Sequence, residues 1–322
     1  MAKHALITGV TGQDGYYLSQ YLRSQGYQVF GQTRNPRNAS FDLRNLEVQL
    51  VSFDLTSSIA WKTMFDVHGI DEVYHLAGVS FVPTSWSSPS ETINANIQIT
   101  AQILEAMRTA STPPRLFYAC SSEVFGQTDT PSQNENTPFR PINPYGVTKA
   151  ASLGLIDCYR SRYGLFATAG ILYNHESPRR DPTFVTRKIS MGVAAIAQGR
   201  QPELVLGHLG VHRDWGYAGD YVNCMHRILQ ADTPEDFVIG SGRLTTLEKL
   251  VEIAFNRVGL NWRHYVVIDP RFSRPNDQRT LVADCTKASH LLGWNAITTI
   301  EELMSIMVDF DMSETHQNRI AA

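Results

Sequence analysis

A doubly wound parallel α/β sheet followed by a smaller α/β C-terminal lobe is the fold class this sequence predicts, on three observations. Short apolar runs alternate with helical periodicity through the first 120 residues. A glycine-rich turn joins the first apolar run to the first helical stretch. Beyond residue 172 the alternation gives way to shorter segments broken by polar and proline-containing loops. Strands separated by helices need crossover connections, which set neighbouring strands parallel and put helices on both faces. With 322 residues the chain exceeds what one core usually serves. A main domain over 1–172, with a return near 212–240, and a lobe mainly over 173–322 are therefore expected.

In chain order, residues 4–8 read as a strand and 15–25 as a helix ended by Gly26. Residues 27–32 and 48–53 are the second and third strands, 59–68 a helix and 72–76 the fourth strand. Residues 93–110 carry the period of one long amphipathic helix, and 115–119 that of another buried strand. Residues 145–163 are helical and 165–172 strand-like, after which a loop with Pro178, Arg179, Arg180 and Pro182 breaks the pattern. Helices are expected near 184–198, 220–230 and 246–258, and a last one after Thr299. No internal repeat or low-complexity segment is present.

The 43% hydrophobic and 18% charged content belongs to a globular chain, not a disordered or fibrous one. A net charge of −3 exerts no general attraction on nucleic acid or on an acidic membrane surface, so neither is expected as a partner. An anionic ligand must then be held by local cations. Cys120, Cys158, Cys224 and Cys285 are scattered without metal-ligand spacing. Reduced thiols in a cytoplasmic protein are expected, with no metal site, signal peptide or membrane span.

Gly9, Thr11, Gly12, Gln13, Asp14 and Gly15 form the turn between the first strand and the first helix. Glycines spaced three and three permit a tight turn and let backbone N–H groups approach a pyrophosphate, to which the helix N-terminus adds partial positive charge. The context predicts a Rossmann-type dinucleotide site. Arg34 and Arg37 follow the second strand, where an acid would bind a ribose 2′-hydroxyl and a base accommodates a 2′-phosphate. The expected cofactor is NADP. Asp54, with Leu55 beside it, follows the third strand and is expected to meet adenine, whereas Leu76 and Ala77 end the fourth strand on the nicotinamide side.

Tyr145 and Lys149 stand four apart, so one helix face carries both. An ammonium near a phenol favours the phenolate, which makes Tyr145 a base for a substrate hydroxyl while hydride leaves the same carbon. Lys149 would also bind the nicotinamide ribose. Ser121, Ser122 and Glu123 end the preceding strand, on the edge where open α/β sheets hold ligands. The glycine turn, Ser121-Ser122-Glu123 and Tyr145…Lys149, in that order, resemble the extended short-chain dehydrogenase/reductase family. That resemblance implies a Ser/Thr hydroxyl, a tyrosine and a lysine as the catalytic set. Either Ser121 or Ser122 could supply the hydroxyl; aligned on the Thr-Ser-Glu pattern of the family's dehydratases, Ser121 takes the threonine's place. Glu123 points to dehydration, because removing a C5 proton and a C6 hydroxyl needs a base that simple hydride transfer does not.

A narrower resemblance lies further on. Tyr173 to Arg180, Thr183 to Ile189, Arg213 to Ala218 and Asp220-Tyr221-Val222 are similar to the GDP-mannose 4,6-dehydratases. The resemblance implies that Asn174 and Glu176 face the hexose or its diphosphate, and that Lys188 and Arg213 serve the nucleotide. Arg274, in Arg274-Pro275-Asn276-Asp277, resembles a pyrophosphate arginine of relatives. Arg179 and Arg180 suit either phosphate binding or a subunit boundary. Trp294 is expected to pack rather than stack on a base. The segment between Arg37 and Gln49 is shorter than the arm that dehydratases of this type use in tetramer assembly. A homodimer through 93–110 and 145–163 is expected, with a homotetramer as the further arrangement.

The substrate implied is GDP-mannose or a related nucleotide sugar. A 4-keto-6-deoxyhexose reductase or epimerase on the same fold is the competing reading, weakened by Glu123. A non-catalytic dinucleotide sensor is a third, for which an aligned Tyr–Lys pair would have no use.

Overall fold

A computed structural model describes residues 2–36, 41–272 and 280–320. The first half alternates as expected: β1 (His4–Thr8), α1 (Gln13–Ser24), β2 (Gln28–Gln32), α2 (Phe41–Asn45), β3 (Gln49–Val51), α3 (Ser58–His68) and β4 (Glu72–His75). Next come α4 (Val82–Ser87), α5 (Pro89–Ile93), a π-helical turn (Asn94–Gln98), α6 (Ile99–Thr109), β5 (Arg115–Ser121), α7 (Pro144–Tyr163) and β6 (Ala167–Leu172). Then follow β7 (Asn174–Glu176), α8 (Val185–Ala197), β8 (Leu204–Leu206), β9 (His212–Tyr217), α9 (Ala218–Gln230), β10 (Phe237–Ile239) and β11 (Leu244–Thr246). α10 (Leu247–Arg257), β12 (Val266–Ile268), α11 (Thr286–Leu292) and α12 (Ile300–Ile320) complete the chain.

Seven strands form one sheet in the order β10-β6-β5-β4-β1-β2-β3, and every neighbouring pair is parallel. All residues of β4 and β6 are buried, which explains why β6 reads as a nearly continuous apolar run rather than an alternating one, while β4 buries Glu72 and His75 at its ends. The chain leaves β1 toward β2 and β3, then crosses back to β4, so the strand order reverses between β1 and β4. Helices diverge there and open a crevice at the carboxyl edge. One core, with Trp61, Ile103, Met107 and Tyr118, fills one face of the sheet. The other face is filled by Leu18 and Leu22 of α1 with Tyr221, Met225 and Ile228 of α9.

A third core gathers Ile189 and Val193 of α8, Leu250 and Phe255 of α10, and Met304 and Met307 of α12. A buried ion pair between Arg187 and Asp311 ties α8 to α12. Two small sheets, β11-β9-β7 and β12-β8, complete this region. Most of these strands have three residues, too few to leave a period-two signal, which is why the sequence pattern showed only the helices here.

The helix expected over 93–110 differs in one respect: α6 is entered through the π-helical turn. Asn96 sits in that turn at 1% exposure, and its carbonyl accepts from both Thr100 Oγ1 (2.8 Å) and Ser152 Oγ (2.9 Å). Hydroxyls competing for one carbonyl divert the helical ladder and widen the turn. Trp294 is buried, donates to the Asp220 carbonyl at 3.1 Å and packs edge-on against Tyr221, as a packing residue should. Among the described residues no helix is long and apolar enough to cross a membrane.

Candidate active site

At the end of β1 the chain reverses through Gly9, whose φ of +70° falls in the left-handed region. A Cβ there would meet Ala77 N at 3.0 Å, so the turn closes directly onto the end of β4. The Gly12 N–H donates to the Gly9 carbonyl at 3.0 Å and shapes the turn. A Cβ on Gly15 would stand 2.4 Å from Gly9 O, so only glycine lets the first turn of α1 pack this close. No side chain caps α1. Its leading N–H groups therefore present a cradle of the kind a pyrophosphate occupies.

The side chains of Gln13 and Asp14 do something else. Gln13 donates to His175 O at 3.0 Å and accepts from Ser177 Oγ at 2.7 Å, and Asp14 pairs with His175 Nε2 at 2.9 Å. The two bind the glycine turn to β7 and the residue after it, leaving the backbone amides to serve a phosphate. Burial opposes charge on both members of the Asp14–His175 pair. Their mutual attraction outweighs it, lowering the carboxyl and raising the imidazole.

Asp54 lies exposed after β3, and its Oδ1 accepts from both Thr56 N (2.8 Å) and Thr56 Oγ1 (2.7 Å), which builds the turn into α3. Leu55 is half-buried against the first core, and its carbonyl accepts from Trp61 Nε1 at 2.9 Å. Leu76 and Ala77 are half-buried at the mouth of the crevice, with Ala77 N donating to Thr8 Oγ1 at 3.1 Å. Thr11, Gly12 and Arg34 are exposed along it. Arg37 and Arg274 lie outside the described residues.

The catalytic corner lies where β5 meets α7. Tyr145 and Lys149 lie one turn apart and are both buried. Lys149 Nζ donates to the Ala119 carbonyl at 2.7 Å and stands 4.7 Å from the Tyr118 ring centre and 5.7 Å from that of Tyr145. Burial pushes Lys149 down to about 8. Burial also raises the Tyr145 phenol above its ordinary range, against the opposing interaction with Ser121. Burial of the phenol acts against the lowering that a nearby ammonium gives, and Lys149 is turned toward the Ala119 carbonyl. A phenolate needs further positive charge at the site.

Ser121 ends β5 half-exposed, and its Oγ accepts from Glu123 N at 3.3 Å. Ser122 is buried in the 3-10 turn Ser122–Val124. Glu123 is half-buried, and Asn143 Nδ2 donates to its Oε2 at 2.6 Å. Ser121, Glu123, Tyr145 and Lys149 therefore meet in one corner.

Two residues of this corner escaped the sequence reading. Asn96 accepts from Val79 N at 3.0 Å and donates to Thr148 Oγ1 at 2.9 Å, joining the loop after β4 to α7. Its signal was a polar residue on the apolar stripe formed by Ile93, Ile103, Leu104 and Met107. Asn143 was signalled as a cap, being an asparagine directly before a proline that opens a helix.

The segment after β6 presents fewer free groups than its motif implied. Glu176 is 1% exposed, accepts from the Thr186 hydroxyl and lies 3.2 Å from Arg180 Nε, without hydrogen-bond alignment. A carboxylate so enclosed is held by its neighbours in the scaffold. Arg180 also stacks on Phe184 at 3.6 Å, while Arg179 stacks on Tyr16 at 3.5 Å and pairs with Asp42. Both arginines are engaged within this chain. Asn174 is half-buried, its carbonyl 3.5 Å from Tyr221 OH. Lys188 lies 4.3 Å over the Phe272 ring and, with Met191, Gly192, Leu204 and Val205, lines a cavity of about 570 Å³. Arg213 is half-buried, its Nη1 donating to His212 O at 2.8 Å. Among the described residues no group of three or more His, Cys, Asp or Glu is placed to hold a metal ion.

A family model described as GDP-mannose 4,6 dehydratase matches residues 6–307 of this chain. The chain is 40% identical to GDP-mannose 4,6 dehydratase 2 of Arabidopsis thaliana, over 99% of this chain and 89% of that protein. It is 37% identical to the GDP-mannose 4,6-dehydratase of Vibrio cholerae, over 98% and 96% respectively. Among solved structures it resembles the UDP-glucuronic acid 4-epimerase of Bacillus cereus in complex with UDP-glucuronic acid and NAD, with a TM-score of 0.84, 22% identity and coverage of 97% and 99%. It also resembles RMD of Pseudomonas aeruginosa complexed with NADPH, with a TM-score of 0.81, 22% identity and coverage of 97% and 100%. At those identities the structural likeness is one of fold.

Proposed function

The chain belongs to the GDP-mannose 4,6-dehydratase family, and on that premise we propose that it converts GDP-mannose to GDP-4-keto-6-deoxymannose with NADP as its cofactor. The observation that carries this reading is Glu123, a carboxylate held in the same corner as Tyr145 and Lys149. Hydride transfer at a single carbon has no need of it; loss of water across C5–C6 does.

The glycine turn fits a dinucleotide, since Cβ atoms at Gly9 or Gly15 would fill its cradle or collide with its backbone. In our reading the backbone of residues 9–15 holds the pyrophosphate, Arg34 meets the 2′-phosphate with Arg37 beside it, and Leu55, Leu76 and Ala77 line the crevice. NADP, when bound, supplies a hydride acceptor, a hydride donor and a cationic ring.

Tyr145 takes the O4 proton, with Ser121 hydrogen-bonding the same oxygen and Lys149 adding positive charge. In the same step the C4–H bond breaks and its hydride would go to the bound NADP, to be returned to C6 after water is lost. Glu123 then takes the C5 proton. The C5–C6 double bond forms as the C6–O bond breaks, and the departing hydroxyl leaves as water with the proton Glu123 removed. A proton equal to the one lifted from O4 returns to C5 as C6 becomes a methyl group, so the balance is one water lost and no net oxidation. Ser122, buried in its turn, supports the corner instead of acting in it.

The nucleotide is assigned to the lobe over 173–322, and the cofactor to 1–172 with the return near 212–240. The cavity lined by Lys188 joins a cation to apolar walls, as a nucleoside diphosphate requires, and Asn174, Arg213 and Arg274 complete this end. A homodimer through the α6–α7 face is our reading, in keeping with the exposed apolar side chains of Val147 (51%) on α7 and Ile93 (47%) just before the π-helical turn into α6, with a tetramer as the further arrangement. The four unpaired cysteines suit a reducing, cytoplasmic setting.

The test is incubation of purified protein with GDP-mannose and substoichiometric NADP, with products weighed by mass spectrometry. Loss of one water without accumulation of NADPH is expected. Bound NADP with GDP-mannose left intact would refute the substrate assignment, and turnover of the 4-keto sugar instead would favour a reductase.

A further inference from the structure

We propose that Asn143 is the positioning residue for Glu123, locking the carboxylate to the helix turn that carries Tyr145; this rests on the reading of Glu123 as the C5 base. Asn143 is 6% exposed and extended, as the residue before Pro144 must be. Its Oδ1 accepts from Gly146 N at 2.8 Å and its backbone carbonyl from Val147 N at 3.1 Å, so both oxygens are committed to the first turn of α7. That leaves the amide nitrogen to donate, and it does so to Glu123 Oε2 at 2.6 Å. The orientation of the amide is dictated by chemistry: the reversed arrangement would set its oxygen against a carboxylate and its NH₂ against an N–H.

The backbone reinforces the link. A Cβ on Gly146 would lie 2.6 Å from Glu123 O, so the 3-10 turn after β5 and the start of α7 are in direct contact. Tyr145 stands between Asn143 and the two residues that Asn143 ties down on α7, Gly146 and Val147. The acid and the phenol, which act at neighbouring carbons of one sugar, are thus held in register by a single side chain. Capping alone does not explain an asparagine here. Serine and aspartate cap helices as well, but the shorter serine hydroxyl cannot reach Glu123 from the capping position, and aspartate would oppose one carboxylate with another.

The experiment uses Asn143→Ser and Asn143→Asp, both able to cap α7, alongside Glu123→Gln in the full-length protein. We expect both Asn143 variants to melt near the wild type. In Asn143→Ser, turnover should fall on the order of 10- to 100-fold, the loss expected from misplacing a catalytic group by about an ångström. Its KM should hold, and reduced-cofactor absorbance should rise at the wild-type rate in a single turnover and then persist, because C4 oxidation is intact and elimination is not. In Asn143→Asp the acid limb of the kcat profile should move to higher pH, since a neighbouring negative charge makes a carboxylate harder to ionise. Wild-type turnover and pH profile in both variants, with Glu123→Gln inactive, would overturn the positioning role alone. Full elimination by Glu123→Gln would overturn the base assignment, and this proposal with it.

Discussion

Two charged and polar clusters follow the neighbouring strands β5 and β6, and they are built in different ways. In the β5–α7 corner, Ser121, Glu123, Tyr145 and Lys149 are anchored through backbone groups and Asn143, so that the reacting groups are held while their neighbours do the structural bonding. In the segment after β6, the conspicuous side chains bond to one another or across to the glycine turn: Glu176 with Arg180 and Thr186, His175 with Asp14, Ser177 with Gln13. The first cluster stores reactivity and the second joins two parts of the molecule. Matching motifs in a sequence therefore do not tell a group that works on a ligand from one that holds the site together. The partner each group already has makes the distinction.

Substitutions in the two regions should separate kinetics from stability. The largest effect is expected in the corner: Tyr145→Phe should lower kcat by about 10²–10⁴ with little change in melting temperature, measured by steady-state assay and calorimetry. A comparable loss of fold stability would end the contrast. Glu176→Gln should do the reverse, lowering unfolding free energy by about 3 kcal/mol, because it leaves the Arg180 cation without its partner. Denaturant titration checks this, and a kcat loss without destabilisation would return Glu176 to the substrate.

Gly15→Ala should cost about 2 kcal/mol or more from overpacking against Gly9. It should also weaken NADP binding, read by fluorescence titration. The smallest effect is expected for Asp14→Asn, about 1.5 kcal/mol, and it should depend on pH. His175, raised in the folded protein, contributes fully below about 6.5 and loses its contribution as pH rises through its folded value. Asp14, lowered, contributes above about 3.8 and loses its contribution as pH falls through its folded value. The difference between wild type and variant should peak between those limits. A difference that stays constant through pH 4–9 would show that the pair does not titrate as a unit.

Much of this was legible in the chain. The helix–strand alternation up to β6, the glycine turn and the Tyr145–Lys149 spacing emerge from local periodicity alone. The short strands of the last third were not legible, nor was the π-helical turn, because each depends on partners far along the chain. The glutamate at 123 could be named, but not the asparagine twenty residues on that holds it.

By itself the sequence determined the α/β architecture, the place of the glycine turn between β1 and α1 and the side chains proposed to react. These follow from backbone sterics and near-neighbour spacing, which act over one or two turns of chain. Only the tertiary structure decided which charged groups are enclosed, with Asp14 meeting a histidine 161 positions away. It likewise decided that Asp54 closes a turn, and that the Tyr145 phenol is buried. Burial and pairing arise when distant segments exclude water together, and the strength of a charge is set by that exclusion rather than by its neighbours in the chain.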